Sequence, residues 1–183
     1  MVEHLDFNNA NNNGITVGDI FLGEGDNSIS IADVSKVNSI GKISAIDTVD
    51  IILEKLDEDS TKFNNILASA EKGKNNSVEV RENNNTDIKL TTNYTKGELA
   101  FTGTGNTVNL GTTYDGNIKL GDNTFNINKS TMSGDIDGGT ININETSTMN
   151  GKITDGKVNV NNGTWNVAQD TKVSQATLNG GTS

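Results

Sequence analysis

The sequence predicts an all-β chain wound as a parallel β-helix solenoid, with a short helical insertion at about residues 46–72. Three observations carry that expectation. Gly116-Asn117-Ile118, Gly134-Asp135-Ile136 and Gly151-Lys152-Ile153 share a Gly-x-Ile start, 18 and then 17 residues apart. Each start leads into an alternating run, Phe125-Asn126-Ile127, Ile141-Asn142-Ile143 and Val158-Asn159-Val160, and the first two runs are followed by Thr131-Met132 and Thr148-Met149. The chain also holds 20 glycines and no proline, a composition suited to tight turns between strands that must keep every backbone donor. Self-similarity at about 20 residues marks stacked repeats, and the period of 2 inside each repeat makes the unit a strand.

Taken in order, Met1 to Asn13 reads as a frayed end that opens the N-terminal coils of residues 1–45. Short strands with glycine turns follow at Ile15-Thr16-Val17, Ile20-Phe21-Leu22 and Ser28-Ile29-Ser30-Ile31. Val34, Val37, Ile40 and Ile43 recur at every third residue, which suits a helix face or irregular coil. Residues 46–73 change character. Ile46, Val49, Leu53 and Leu56, then Phe63, Ile66, Leu67 and Ala70, fall at helical spacing. The expectation is a helical excursion broken at Asp57-Glu58-Asp59, with Asp47 or Thr48 capping the first piece, Ser60 the second, and Gly73 as the stop. Residues 74–183 return to strands, at Val78/Val80, Ile88/Leu90, Leu99/Phe101, Val108/Leu110 and Ile118/Leu120. Polar turn clusters such as Asn83-Asn84-Asn85 lie between them.

Composition excludes several functions. The chain carries 14 basic and 24 acidic side chains, a net charge of −10, and Arg81 is its one arginine. Nucleic acid and anionic membranes demand clustered Lys and Arg, so neither is an expected partner. Without cysteine there is no disulfide framework and no thiolate metal site. No run reaches the roughly 18 apolar residues of a membrane span, and the first residues lack the regions of a signal peptide. His4 is the one histidine and no serine sits in a Gly-x-Ser-x-Gly context, so a nucleophilic triad is not expected. Asp135 and Asp137, or Glu24 and Asp26, are the carboxylate pairs a glycosidase would draw on, but each lies beside a glycine turn where Asp is simply a good turn former. Asp135-x-Asp137-Gly138-Gly139 lacks the nonapeptide series of a calcium β-roll. No enzyme activity, cofactor or metal is therefore expected.

The distinctive surface is polar and repetitive. With the apolar residues inward, Thr124, Asn126 and Asn128 point outward on one coil, Thr140, Asn142 and Asn144 on the next, and Lys157, Asn159 and Asn161 on the third. The eight Thr and Asn residues of this set are the candidate binding face, with another copy of the chain or a host surface protein or glycan as partner. Trp165, the single tryptophan, is expected to point inward near the solenoid's end.

The last repeat reads Gly163-Thr164-Trp165-Asn166-Val167, a polar turn, Val173, Thr177-Leu178 and Asn179-Gly180-Gly181-Thr182. This pattern resembles the barrel-proximal end of passenger domains of classical Gram-negative autotransporters, over about residues 100–183. The resemblance implies a right-handed β-helix held at the cell surface through an outer-membrane barrel, serving adhesion, autoaggregation or biofilm formation. It also implies a fragment of a longer chain, since neither signal peptide nor barrel is present. Gly25-Asp26-Asn27-Ser28-Ile29-Ser30-Ile31 is similar to a trimeric autotransporter head repeat but does not recur. The expected function is adhesion or self-association through the Thr/Asn face. The alternatives are a carbohydrate-binding or carbohydrate-cleaving β-helix and a passive display stalk.

Overall fold

Alternating Ile, Val and Leu with few aromatics can be buried in a thin core if each strand lies on its counterpart one coil earlier. The computed structural model, which describes residues 2–8, 14–83 and 86–183, has that architecture, a β-solenoid of about 8 turns with one short helix. In chain order the strands are β1 (His4–Phe7), β2 (Ile15–Val17), β3 (Ile20–Leu22), β4 (Asp26–Asp33), β5 (Val37–Ile40), β6 (Ile43–Ala45) and β7 (Thr48–Lys55). The helix α1 (Thr61–Glu71) comes next. After it lie β8 (Asn76–Val80), β9 (Asp87–Leu90), β10 (Leu99–Phe101), β11 (Thr107–Leu110), β12 (Ile118–Ile127) and β13 (Thr131–Met132). The remaining strands are β14 (Ile136–Ile143), β15 (Thr148–Met149), β16 (Ile153–Val160), β17 (Thr164–Trp165) and β18 (Lys172–Leu178).

These strands build three faces. The first runs in the order β1-β4-β7-β8-β10-β12-β14-β16-β18. The second is formed by β9, β11 and the later halves of β12, β14, β16 and β18, and the third by β13, β15 and β17. In the N-terminal half β2 pairs with β5 and β3 with β6. The buried residues Ile118, Ile136 and Ile153 stack in register, and Tyr114, Met132, Met149 and Trp165 form the core behind the third face. Trp165 is 6 % exposed and points inward, whereas Val167 beside it lies on the surface.

The repeated glycine has a steric cause. Gly116, Gly134 and Gly151 stack at the corner leading into the first face, where coils approach backbone to backbone. A Cβ on Gly134 would lie 1.6 Å from the Gly116 carbonyl oxygen, and one on Gly151 would lie 1.8 Å from that of Gly134. Only a residue without a side chain fits that corner.

The helix does not leave the stack; it takes a strand's place within it. In its coil α1 stands where β5 stands in the coil before and β9 in the coil after. On one side Ser69 Oγ donates to the Ile40 carbonyl at 2.7 Å, and Lys62 Nζ to that of Ser35 at 2.7 Å. On the other, Lys89 N donates to Ser60 Oγ at 3.0 Å, Asn64 Nδ2 donates to the Lys89 carbonyl at 2.8 Å, and Thr91 N donates to Asn64 Oδ1 at 2.9 Å. The dimensions permit the exchange. Omitting one strand opens a gap of two ladder spacings, about 9.6 Å, close to the roughly 10 Å diameter of a helix. Phe63, Ile66, Leu67 and Ala70 complete the core there.

Three expectations are corrected. Residues 48–55 form a strand, not the first helical piece, because Val49, Ile51 and Leu53 alternate into the core while β4 and β8 supply ladders on both sides. Ser60 occupies the N-cap position with φ 61° and makes no side-chain cap bond. Asp57 does the capping instead, accepting from Lys62 N at 2.7 Å and Phe63 N at 3.0 Å. The frayed N-terminus is replaced over His4–Phe7 by β1, which pairs with β4. Met1 and residues 9–13 lie outside the described residues, as do Asn84 and Asn85 of the predicted turn cluster. The series Val34, Val37, Ile40 and Ile43 resolves into a 3-10 turn at Val34–Lys36 followed by β5 and β6. Among the described residues no helix is long and apolar enough to cross a membrane.

Candidate interaction surface

Inward Phe125, Ile127, Ile141, Ile143, Val158 and Val160 force the residues between them outward, and parallel pairing stacks those residues in files. One file runs Thr107, Thr124, Thr140, Lys157; the next runs Asn109, Asn126, Asn142, Asn159. The amides of the second file join end to end. Asn126 Nδ2 donates to Asn109 Oδ1 at 3.1 Å, Asn142 to Asn126 at 2.7 Å and Asn159 to Asn142 at 2.9 Å. A second ladder runs beside it, with Asn144 donating to Asn128 at 2.8 Å, Asn161 to Asn144 at 3.0 Å and Asn179 to Asn161 at 3.0 Å.

All eight predicted face residues, Thr124, Asn126, Asn128, Thr140, Asn142, Asn144, Asn159 and Asn161, thus fall on one face, and the six Asn lie in two ladders. Asn109, Thr107 and Asn179 extend the same files. Asn109 and Thr107 alternate with Val108 and Leu110, so the same period would have found them. An interior member of a ladder uses one amide N–H and one acceptor site on its neighbours, which leaves a second N–H and further lone-pair capacity for a partner. Aligned amides also polarise one another.

On these files charge is confined to Asp87 and Lys89, which precede Thr107 and Asn109, and to Lys157; most acidic charge sits on the first face. The first face carries Asp50, Glu54, Glu79, Glu98, Asp135 and Asp137. A groove of ≈ 480 Å³ there is lined in part by Asp26, Asp50, Ser77, Glu79, Glu98 and Lys119. Arg81 bridges Glu79 at 3.0 Å and Glu54 at 3.1 Å, and Thr102 Oγ1 donates to Glu79 at 2.9 Å. Burial pushes the Asp50 carboxyl above its ordinary range, and the neighbouring Glu79 charge adds to this against a hydrogen bond from Ser77. Burial acts on Glu79 in the same sense, but hydrogen bonds from Arg81 and Thr102 and the charge of Arg81 outweigh it and hold Glu79 below its ordinary range. A carboxyl with a raised folded-state pKa binds its proton more tightly in the folded chain, so its contribution to stability is lost as pH rises through that pKa. Asp50→Asn is therefore expected to raise the melting temperature at pH 7 and to leave it nearly unchanged near pH 3. Thermal melts of both chains across that range check the sign.

Of the carboxylates weighed for sugar chemistry, one of each pair is engaged in the stack. Asp135 Oδ1 accepts from Lys152 N at 2.8 Å, and Asp26 Oδ1 accepts from Thr48 Oγ1 at 3.1 Å. His4, on the exposed β1, has Ser28 Oγ against its Nδ1. No family model matches the chain, and no curated protein or solved structure matches it.

Proposed function

We propose that this chain is a cell-surface adhesive module, of the kind that autotransporter passengers carry outside the outer membrane, and that its Thr/Asn face binds another copy laterally. The observation that supports this most is the pair of amide ladders, flat and repeated over successive coils, with unspent hydrogen-bonding capacity and little charge. The acidic first face would repel a like surface, so lateral contact falls to the second face. One hydrogen bond contributes only about 1 kcal/mol net, so affinity comes from repetition along the files.

Sedimentation velocity at rising concentration, with small-angle scattering to separate side-by-side pairs from longer particles, tests the reading. The wild type is expected to form laterally thickened pairs. Asn126→Lys combined with Asn142→Lys breaks one ladder and sets two cations on the contact, and is expected to raise the concentration needed for pairing by at least about tenfold. Equal lateral pairing by the two chains, or none by the wild type, defeats the proposal.

A further inference from the structure

Exchanging a strand for a helix leaves a seam. A helix is a cylinder about 10 Å across and β5 beside it is a flat ribbon, so the two meet along a groove on the outer surface. The groove has a volume of ≈ 270 Å³ and is lined in part by Ser39 and Ile40 of β5 and by Lys62, Asn65 and Ser69 of α1, with Lys72 just past the helix. Lys62, Asn65, Ser69 and Lys72 are spaced by 3, 4 and 3 residues and so form one stripe along the helix. Its two lysines stand about 15 Å apart along the axis.

The groove is basic in an acidic chain. Its lining contains no carboxylate, whereas the first-face groove carries Asp26, Asp50, Glu79 and Glu98. Lys62 Nζ donates to the Ser35 carbonyl at 2.7 Å, which uses one of its three N–H groups. Neither Lys62 nor Lys72 forms an ion pair with a described residue, although the chain has 24 acidic and 14 basic side chains. An anion entering the seam therefore meets two cations that no carboxylate neutralises.

The neutral groups narrow the class of anion. Ser39 and Ser69 supply hydroxyl oxygens, Asn65 an amide, and Ile40 and Ala68 apolar surface. A peptide strand finds no ladder to join: β5 pairs with β2 on one edge, and its other edge lies against α1, where Ser69 Oγ donates to the Ile40 carbonyl at 2.7 Å. Recognition is left to side chains, and a sugar ring, with hydroxyls at its rim and C–H groups on its faces, matches them. The volume falls just below the range of about 300–1,000 Å³ that holds drug-sized ligands, a size suited to one or two sugar rings.

We propose that this seam binds an acidic sugar, a hexuronate-bearing unit of a surface glycan. Its carboxylate lies at Lys62, its hydroxyls meet Ser39, Asn65 and Ser69, and a second carboxylate comes within reach of Lys72. This goes beyond the lateral contact proposed above and uses none of its residues.

Titration calorimetry with digalacturonate at low ionic strength tests the site, with galactobiose as the neutral sugar of the same size. The wild type is expected to bind digalacturonate at least about tenfold more tightly than galactobiose. Lys62→Gln combined with Lys72→Gln is expected to weaken binding by at least about tenfold. Asn65→Ala, which changes no charge, is expected to weaken it about fivefold, the equivalent of one hydrogen bond of about 1 kcal/mol. Circular dichroism confirms that each variant is folded. No binding of digalacturonate by the wild type, or unaltered affinity in the lysine variant, overturns the proposal. So does equally tight binding of galactobiose, of acetate or of a short aspartate-rich peptide. Lateral pairing by the lysine variant is expected to match the wild type, so the two readings fail separately.

Discussion

Gly134→Ala is expected to destabilise the solenoid by about 3 kcal/mol or more, among the largest effects of any single methyl added to this chain. The added carbon would fall 1.6 Å from the Gly116 carbonyl oxygen, so the obstacle is backbone and cannot rotate aside. Relief requires the coils to part, which strains the ladder pairs that join β12, β14 and β16. Gly18→Ala is the control. Nothing lies within 4 Å of the Cβ it would gain, and a change within about 0.5 kcal/mol is expected there. Urea unfolding of both variants measures the contrast. Equal midpoints would mean that the repeated glycine marks only a preference of the turn.

Asn64→Ala is expected to cost about 2–3 kcal/mol, because it leaves the Lys89 carbonyl and the Thr91 N–H without the partners that replace a missing strand. Hydrogen exchange locates the damage. The Thr91 amide should lose protection, while the Lys89 amide, held by Ser60 Oγ, should keep it. Asn64→Asp retains the acceptor for Thr91 but not the donor to Lys89, so Thr91 protection should persist there. If Asn64→Ala melts like the wild type and Thr91 exchanges no faster, the helix does not serve as a strand substitute.

Legibility in the sequence tracked how local the cause was. The coils from β12 to β16 were readable because Phe125, Ile141 and Val158 recur near a constant period with one outward Asn beside each. The candidate face followed directly, since register turns an equal spacing into a file. The segment β7 was misread for a specific reason. Ile46, Val49, Leu53 and Leu56 mimic helical spacing, and Ile52, an apolar residue on the outer side, blurs the alternation of Val49, Ile51 and Leu53. The cap was misread because Ser60 adopts a left-handed conformation that its sequence does not announce, leaving Asp57 to meet the helix N-terminus. The Asp50, Glu79 and Arg81 cluster was not legible at all. Asp50 meets Ser77 across 27 residues, and Arg81 meets Glu54 across 27, a spacing lengthened by the helix and unlike the 16 to 18 that join the Asn ladders.

The two amide ladders also have a direction. In every link the later coil donates and the earlier coil accepts. The side-chain dipoles therefore point the same way and add along the solenoid axis, as peptide dipoles add along a helix. Such a row is electrically polar, with unspent donors toward its N-terminal coil and unspent acceptors toward its C-terminal coil. Two rows laid side by side attract when they run antiparallel and repel when they run parallel. A lateral pair of these solenoids accordingly favours opposite headings, which a two-fold axis between the copies supplies and which closes the pair at two.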